Sequence, residues 1–357
     1  MMLLLRSLAD NMEKEVRMVT IKQIAERAGV STATVSNVIH GKSKKVSAET
    51  VQRIRKLIDE MGYVQEKRQL VSRDHSSKLV AVIIHYHYGF ENSVLADPFY
   101  GIITGSIEEE LRHKGYYMML YASPNADDIF KMLMTWDVDG VVAVSFSVED
   151  CKKIYSLIHK PMISIDAYGD SNDPSPVPDV GLDDEGGGYL MARHLLELGY
   201  ENIFMAGVDN FGIDHRRWLG AQRVVDTPFF QRDKVKMEFI ELGSTQQDRE
   251  SRYRDIARQI PFKKKTAVFF TSDSLAMEAI SYWAEWGVRV PQDVGVAGFD
   301  NSINAVSFSI PRLTTISQNM QQKARIAVEE LVATLQDPSY QARSHTLPIS
   351  LVSRQSV

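Results

Sequence analysis

The chain has 357 residues, 44% of them apolar, and a net charge of −5, which suits a soluble globular protein with room for more than one domain. Its single cysteine, Cys151, excludes an internal disulfide framework and a cysteine-based zinc site, and fits a reducing cytoplasm. No apolar run approaches membrane-spanning length, and Met2-Leu3-Leu4-Leu5 is too short for a signal-peptide core.

Residues 1–17 read as an extension without a fold of its own, with Met12 or Met18 as alternative starts. The charge is unevenly spread. Residues 18–73 carry eleven Lys or Arg against five Asp or Glu, a net of +6, which leaves −11 for residues 74–357. A basic N-terminal module on an acidic body fits a nucleic-acid contact confined to one end.

Within that module, residues 21–28 are expected to form a helix with Ile24, Ala25 and Ala28 inward, and Gly29 supplies a tight turn. Residues 30–39 form a second short helix. Val35, Val38 and Ile39 face inward, Ser31 caps its start, and Thr32, Ala33, Ser36 and Asn37 make a small polar outer face. Two short helices joined at glycine describe any αα-hairpin. The small outer face and the basic surroundings favour a helix-turn-helix that reads the major groove. A third helix is expected over 48–61, capped by Ser47, stopped by Gly62, and buried along Val51, Ile54, Leu57, Ile58 and Met61. The loop Gly41-Lys42-Ser43-Lys44-Lys45 is basic enough to meet phosphate, and 64–78 is a polar, unpatterned linker.

From residue 79 onward, apolar runs alternate with amphipathic segments, the signature of parallel βαβ units. Strands are expected over 79–85, 116–122, 140–145, 162–166 and 179–182, with helices over 99–113, 127–136 and 149–159 between them. A second series has strands over 202–207, 236–242, 267–271 and 294–298, with helices over 185–198, 215–225, 247–259 and 274–286. The tail holds a helix near 319–336 and one strand near 345–352. Two such series make two lobes, here divided as 79–180 plus 317–340 and 181–312 plus 343–357. Ligands of such folds bind at the strand C-terminal ends, in the cleft between lobes.

Several motifs taken together resemble the LacI/GalR family of bacterial repressors. In the module they are Val19-Thr20-Ile21, Ile24-Ala25, Ala28-Gly29-Val30-Ser31, Thr34-Val35-Ser36, Val46-Ser47 and Gly62-Tyr63. In the body they include Asp97-Pro98-Phe99-Tyr100-Gly101, Phe270-Thr271-Ser272-Asp273, Gly298-Phe299-Asp300 and Pro311-Arg312-Leu313-Thr314-Thr315-Ile316. The likeness spans nearly all of residues 18–357. It implies an α/β fold class: an all-α helix-turn-helix headpiece (18–63), a hinge (64–78), and a two-lobe, periplasmic-binding-protein-like body of doubly wound parallel sheets (79–357).

The resemblance also implies roles. Thr32, Ala33 and Asn37 sit where the family reads base edges, while Thr20, Ser31, Thr34, Ser36, His40, Ser47 and Thr50 sit at or near phosphate-contact positions. Asn37 suits an adenine edge and Ala33 a thymine methyl. The family's hinge inserts a leucine into the minor groove after an Asn-x-x-Ala-Arg-x-Leu pattern. Here that pattern is broken, and Leu70 is the main apolar wedge.

In the body, Arg217 and Asp300 match an arginine and a carboxylate that hold vicinal hydroxyls across a dry cleft. Phe99 and Tyr100 match an aromatic wall, and Ser272 and Met320 two further pocket positions. His85, at the end of the first strand, also faces the ligand site. His85 and His87 share one strand face, but no third ligand accompanies them, so no metal is expected.

Gly186-Gly187-Gly188 reads as easing a helix start against the sheet, since no dinucleotide fingerprint follows the first strand. No nucleophile elbow is present either, so an enzyme and a cofactor are not expected. The reading is a cytoplasmic homodimer that binds a pseudopalindromic double-stranded DNA operator and a small effector, most simply a sugar, without a membrane. An exported sugar-binding receptor is the competing reading, disfavoured by the headpiece.

Overall fold

The computed structural model describes residues 19–39, 46–61, 77–86, 93–169, 175–208, 210–226, 235–259 and 265–357. The basic loop 41–45, His40, Gly62, Tyr63, Leu70, His87 and all of the linker before Ser77 lie outside them.

The N-terminal unit is built from α1 (Ile21–Ala28), α2 (Thr32–Ile39) and α3 (Ala48–Met61). At eight residues each, α1 and α2 are too short to persist alone, so their ends and a shared core must hold them. Thr20 begins α1 with a capping box. Its hydroxyl accepts the Gln23 backbone N–H at 3.3 Å, and the Gln23 side-chain oxygen accepts the Thr20 N–H at 2.8 Å. Gly29 ends the helix at φ +66°, a conformation that glycine adopts without steric cost. Ser31 caps the next helix, accepting from the Thr34 N–H at 3.2 Å. One fully buried isoleucine or valine from each helix, Ile24, Val35 and Ile54, meets at the centre, with Ala25, Ala28 and Val38 around them. Ile39, expected inward, is half-buried at the edge of this core.

Among the described residues, the body contains two six-stranded sheets. The first runs through β1 (Leu79–His85), α4 (Pro98–His113), β2 (Tyr117–Ser123), α5 (Ala126–Thr135), β3 (Gly140–Val144), α6 (Val148–Ile158), β4 (Met162–Ile165) and β5 (Asp179–Leu182). The second runs through α7 (Asp184–Glu197), β6 (Asn202–Gly207), α8 (Gly212–Arg223), β7 (Lys236–Glu241), α9 (Gln246–Gln259), β8 (Thr266–Phe270), α10 (Asp273–Glu285) and β9 (Gly295–Asp300). A short α11 (Ile303–Ser307), β10 (Thr314–Ser317), α12 (Met320–Gln336), β11 (His345–Leu347) and β12 (Ser350–Val352) complete the chain. The strand orders are β11-β5-β4-β3-β1-β2 and β12-β10-β9-β8-β6-β7. Every pairing is parallel except β10 with β12. Central strands such as β1 and β3 are buried on both faces, which is why they read as unbroken apolar runs.

The expected elements lie within three residues of those observed, with exceptions near the tail, where the short α11 was also not expected. The single strand expected over 345–352 is two strands, β11 in the first sheet and β12 in the second. Pro348, which has no N–H to donate to a ladder, separates them. Thr314–Ser317, passed over as a strand, pairs between β9 and β12. The lobe boundary shifts accordingly: β5 to Leu182 and β11 belong to the first sheet, and β10 to the second. The chain therefore passes between the sheets three times, at 182–184, 317–320 and 347–350.

The glycine run has a sharper role than a helix start. A Cβ on Gly188 would lie 1.8 Å from the Arg217 carbonyl oxygen, and one on Gly220 would lie 1.8 Å from that of Glu185. Helices α7 and α8 thus touch backbone to backbone. Gly187, its neighbour, leaves room for the Phe299 ring of β9.

Candidate functional site

Between the two lobes lies a cavity of about 140 Å³. The C-terminal ends of β1, β3 and β4 bring His85, Ser145 and Asp166 to one wall, and the start of α4 adds Asp97, Phe99 and Tyr100. The opposite wall comes from α8, β8 and β9 with Asp214, Arg217, Thr271, Ser272 and Asp300. Gln318, on the crossing after β10, joins them. Ser145, Asp166 and Asp300 all have positive φ, at 60°, 54° and 122°. Backbone held this way costs of order 1–3 kcal/mol per residue and collects where a site needs it.

Arg217 is buried, and its guanidinium is held from several sides. Nε donates to Asp184 at 2.9 Å, Nη1 donates to the Thr271 carbonyl at 2.5 Å, and the plane lies 3.6 Å over the Phe299 ring. Burial works against its charge, but Asp184, Asp300 and Asp214 outweigh that and hold its pKa above the usual value. Asp300 accepts from Gln318 Nε2 at 2.5 Å. Burial, reinforced by the charge of Asp273, pushes the Asp300 carboxyl well above the ordinary range, with Arg217 pulling the other way.

The expectation of a cleft spanned by Arg217 and Asp300 needs correcting in its geometry. Both stand on the second lobe, and the carboxylates facing them from the first are Asp97 and Asp166.

Phe99 and Tyr100 meet edge to face, centroids 5.1 Å apart. Asp97 caps α4 by accepting the Phe99 N–H at 2.8 Å. The His85 Nε2 sits 3.3 Å from the Pro124 carbonyl oxygen, and its ring packs on Phe146. Ser272 caps α10 and lines the cavity.

Of the expected effector residues, His85, Phe99, Tyr100, Arg217, Ser272 and Asp300 converge here, whereas Met320 does not. It lies buried in the hydrophobic core at the first turn of α12, and Gln318 occupies the wall instead. Asp166, Asp214 and Gln318 were not singled out from the sequence. For Asp166 a signal existed, since it directly follows a strand's C-terminal end. Among the described residues, no group of His, Cys, Asp and Glu has the arrangement of a metal site.

On the N-terminal unit, Thr32, Ala33 and Asn37 are exposed along α2, while Thr34 and Ser36 are half-buried. Hydroxyl pairs mark two helix starts: Ser31 with Thr34 at 2.9 Å, and Ser47 with Thr50 at 2.8 Å. With Thr20, these place three N-terminal ends, and their outward N–H groups, on one small unit.

Comparison with known proteins bears on both parts. The model of bacterial regulatory proteins of the lacI family matches residues 20–66, and that of the periplasmic binding protein-like domain matches residues 192–357. The HTH-type transcriptional repressor PurR of Actinobacillus pleuropneumoniae serotype 3 (strain JL03) is 30% identical over 353 residues, covering 95% of this chain and 98% of that protein.

The chain belongs to the LacI family.

This LacI-family chain is thus a DNA-binding transcription regulator. It is also 28% identical to the regulator DegA of Bacillus subtilis (strain 168) over 309 residues, covering 85% of this chain and 87% of that one. Among solved structures, the CelR–cellobiose complex superposes with a TM-score of 0.67 at 24% identity, covering 95% of this chain and 100% of that one. The lac repressor dimer bound to operator gives a TM-score of 0.63 at 21% identity, covering 95% and 99%. These likenesses carry the fold. No helix among the described residues is long and apolar enough to cross a membrane.

Proposed function

We propose that this regulator is a cytoplasmic homodimer whose grip on a pseudopalindromic operator is set by a sugar held between its lobes. The observation that carries the sugar is the lining of the cavity. Carboxylates on both walls accept from hydroxyls, Arg217 donates, and the Phe99 and Tyr100 rings offer flat apolar faces for a sugar's C–H surface. The fold neighbours support this choice, since the CelR structure contains cellobiose and an Enterococcus faecium LacI-family regulator, 21% identical, contains ribose.

On the DNA side, Thr32, Ala33 and Asn37 read base edges, and Thr20, Ser31, Thr34, Ser36, His40, Ser47 and Thr50 stand near phosphates. Leu70 serves as the minor-groove wedge. One short helix reads too few base pairs for useful specificity, so two headpieces act together. The linkage requires only that the effector bind the DNA-competent and DNA-incompetent states with different affinity.

A mobility-shift titration with D-ribose, D-glucose, cellobiose and a set of nucleobases tests the reading. A sugar that changes operator affinity supports it. A response confined to nucleobases would replace the sugar, and indifference to DNA at low salt would remove the operator.

A further inference from the structure

Behind the first-lobe wall of the cavity lies a cation that does not itself line it. Lys323 of α12 is fully buried, yet its ammonium is one side chain away from the ligand space. All three of its donors are engaged: Asp166 Oδ1 at 2.6 Å, Asp166 Oδ2 at 2.5 Å and Gln318 Oε1 at 2.7 Å. That grip turns the Gln318 amide so that its Nε2 donates to Asp300 at 2.5 Å. The ammonium also stands 5.6 Å from the Phe99 ring. The second cation, Arg217, is likewise engaged by Asp184 and the Thr271 carbonyl. Four carboxyl groups, Asp97, Asp166, Asp214 and Asp300, therefore face the cavity against one guanidinium already bound within the protein.

We propose that Lys323 is a specificity-setting cation of this pocket, held in reserve by Asp166, so that the regulator accepts uncharged polyols and rejects phosphorylated or carboxylated ligands. The proposal rests on the cavity being the effector site. In a dry cleft, a bare ammonium beside the ligand would attract an anion strongly, whereas one neutralised by a two-oxygen carboxylate contact does not. Asp166 therefore does two jobs: it offers an acceptor to the ligand and withholds the lysine's charge.

The test is a gain of function, read by calorimetric titration of the full chain in phosphate-free buffer with inorganic phosphate and ribose 5-phosphate. The parent protein should bind neither. Asp166→Asn keeps an acceptor for Lys323 but removes the neutralising charge, and should gain about tenfold or more in affinity for ribose 5-phosphate. The double variant Asp166→Asn/Lys323→Met should lose that gain. Binding of ribose 5-phosphate by the parent more tightly than D-ribose overturns the proposal, as does a folded Asp166→Asn protein without the gain.

Should Asp166→Asn fail to fold, Lys323→Met provides the mirror test, because it fits the same buried space and leaves Asp166 without its cation. It should then prefer D-glucosamine to D-glucose by about tenfold more than the parent does, and an unchanged preference sinks the idea. The sugar reading fails separately. If D-ribose, D-glucose and cellobiose leave the parent unmoved while Asp166→Asn still gains the phosphate, the charge masking stands and the sugar falls.

Discussion

Arg217 reaches the cavity with much of its hydrogen-bonding capacity already spent on Asp184 and the Thr271 carbonyl. Its contribution to a ligand is therefore orientation: a guanidinium pinned on Phe299 loses little freedom on binding, so a fixed donor edge is presented. Arg217→Ala should abolish the effector response in a mobility-shift titration while operator affinity without effector stays within about threefold, a change under 1 kcal/mol. An equal response in variant and parent would place the effector elsewhere.

A second prediction at this scale concerns Asp179, which accepts from the Ser164 hydroxyl and the Ala167 N–H. Burial raises its carboxyl to about 7, with the Ala167 bond opposing and the charge of Asp166 adding to the rise. The folded state then binds the proton more tightly than the unfolded chain, so this residue's contribution is complete below about pH 4. It is lost as the pH rises towards 7. Asp179→Asn can still accept both hydrogen bonds and should flatten that fall. Parallel denaturation midpoints for variant and parent from pH 4 to pH 7.5 would contradict it.

At the scale of elements, the contact between α7 and α8 is the tightest glycine approach among the described residues. Gly188→Ala should cost about 2 kcal/mol or more in urea unfolding, because the new methyl meets a backbone carbonyl that cannot rotate away. Gly105→Ala on the exposed side of α4 meets nothing within 4 Å and should instead stabilise by about 0.5–1 kcal/mol. Similar effects from the two would show that the close approach is not what matters.

The same elements show what was legible beforehand. Alternation of apolar runs and amphipathic stretches located most of the longer helices and strands, since each buries a continuous face. Thr314–Ser317 escaped because four residues carry too little periodicity. The 345–352 segment misled because its two halves serve different sheets, a fact of topology rather than local propensity. Five cavity residues, Phe99, Tyr100, Arg217, Ser272 and Asp300, were readable from motif position and His85 from its place at a strand end, whereas Lys323, part of no motif, becomes visible only through the contacts that three-dimensional packing creates.

For the whole molecule, the surface left bare by this chain is informative. Ile303, Phe308 and Ile310 follow one another after β9, and Phe308 and Ile310 are 71% and 90% exposed. Exposed apolar side chains of this size are what the proposed homodimer would cover. Ile310→Glu should shift the protein from dimer to monomer in sedimentation velocity and weaken operator binding with it, because paired headpieces lose their shared tether. A dimer of undiminished stability would move the interface away from this segment.

The three crossings between the sheets bear on how such a molecule computes. They leave from β5, β10 and β11 and arrive at α7, α12 and β12, all on one side of each sheet, where β11-β5 and β12-β10 are neighbours. Three links along one edge of both sheets leave a hinge about that edge as the freest motion of one lobe against the other. Whatever the cleft senses must then be reported as a single angle, and residues far apart on the two lobes take their positions from that one coordinate. A molecule with one mechanical coordinate is suited to a two-position switch: ligands of many shapes are reduced to how far the angle turns.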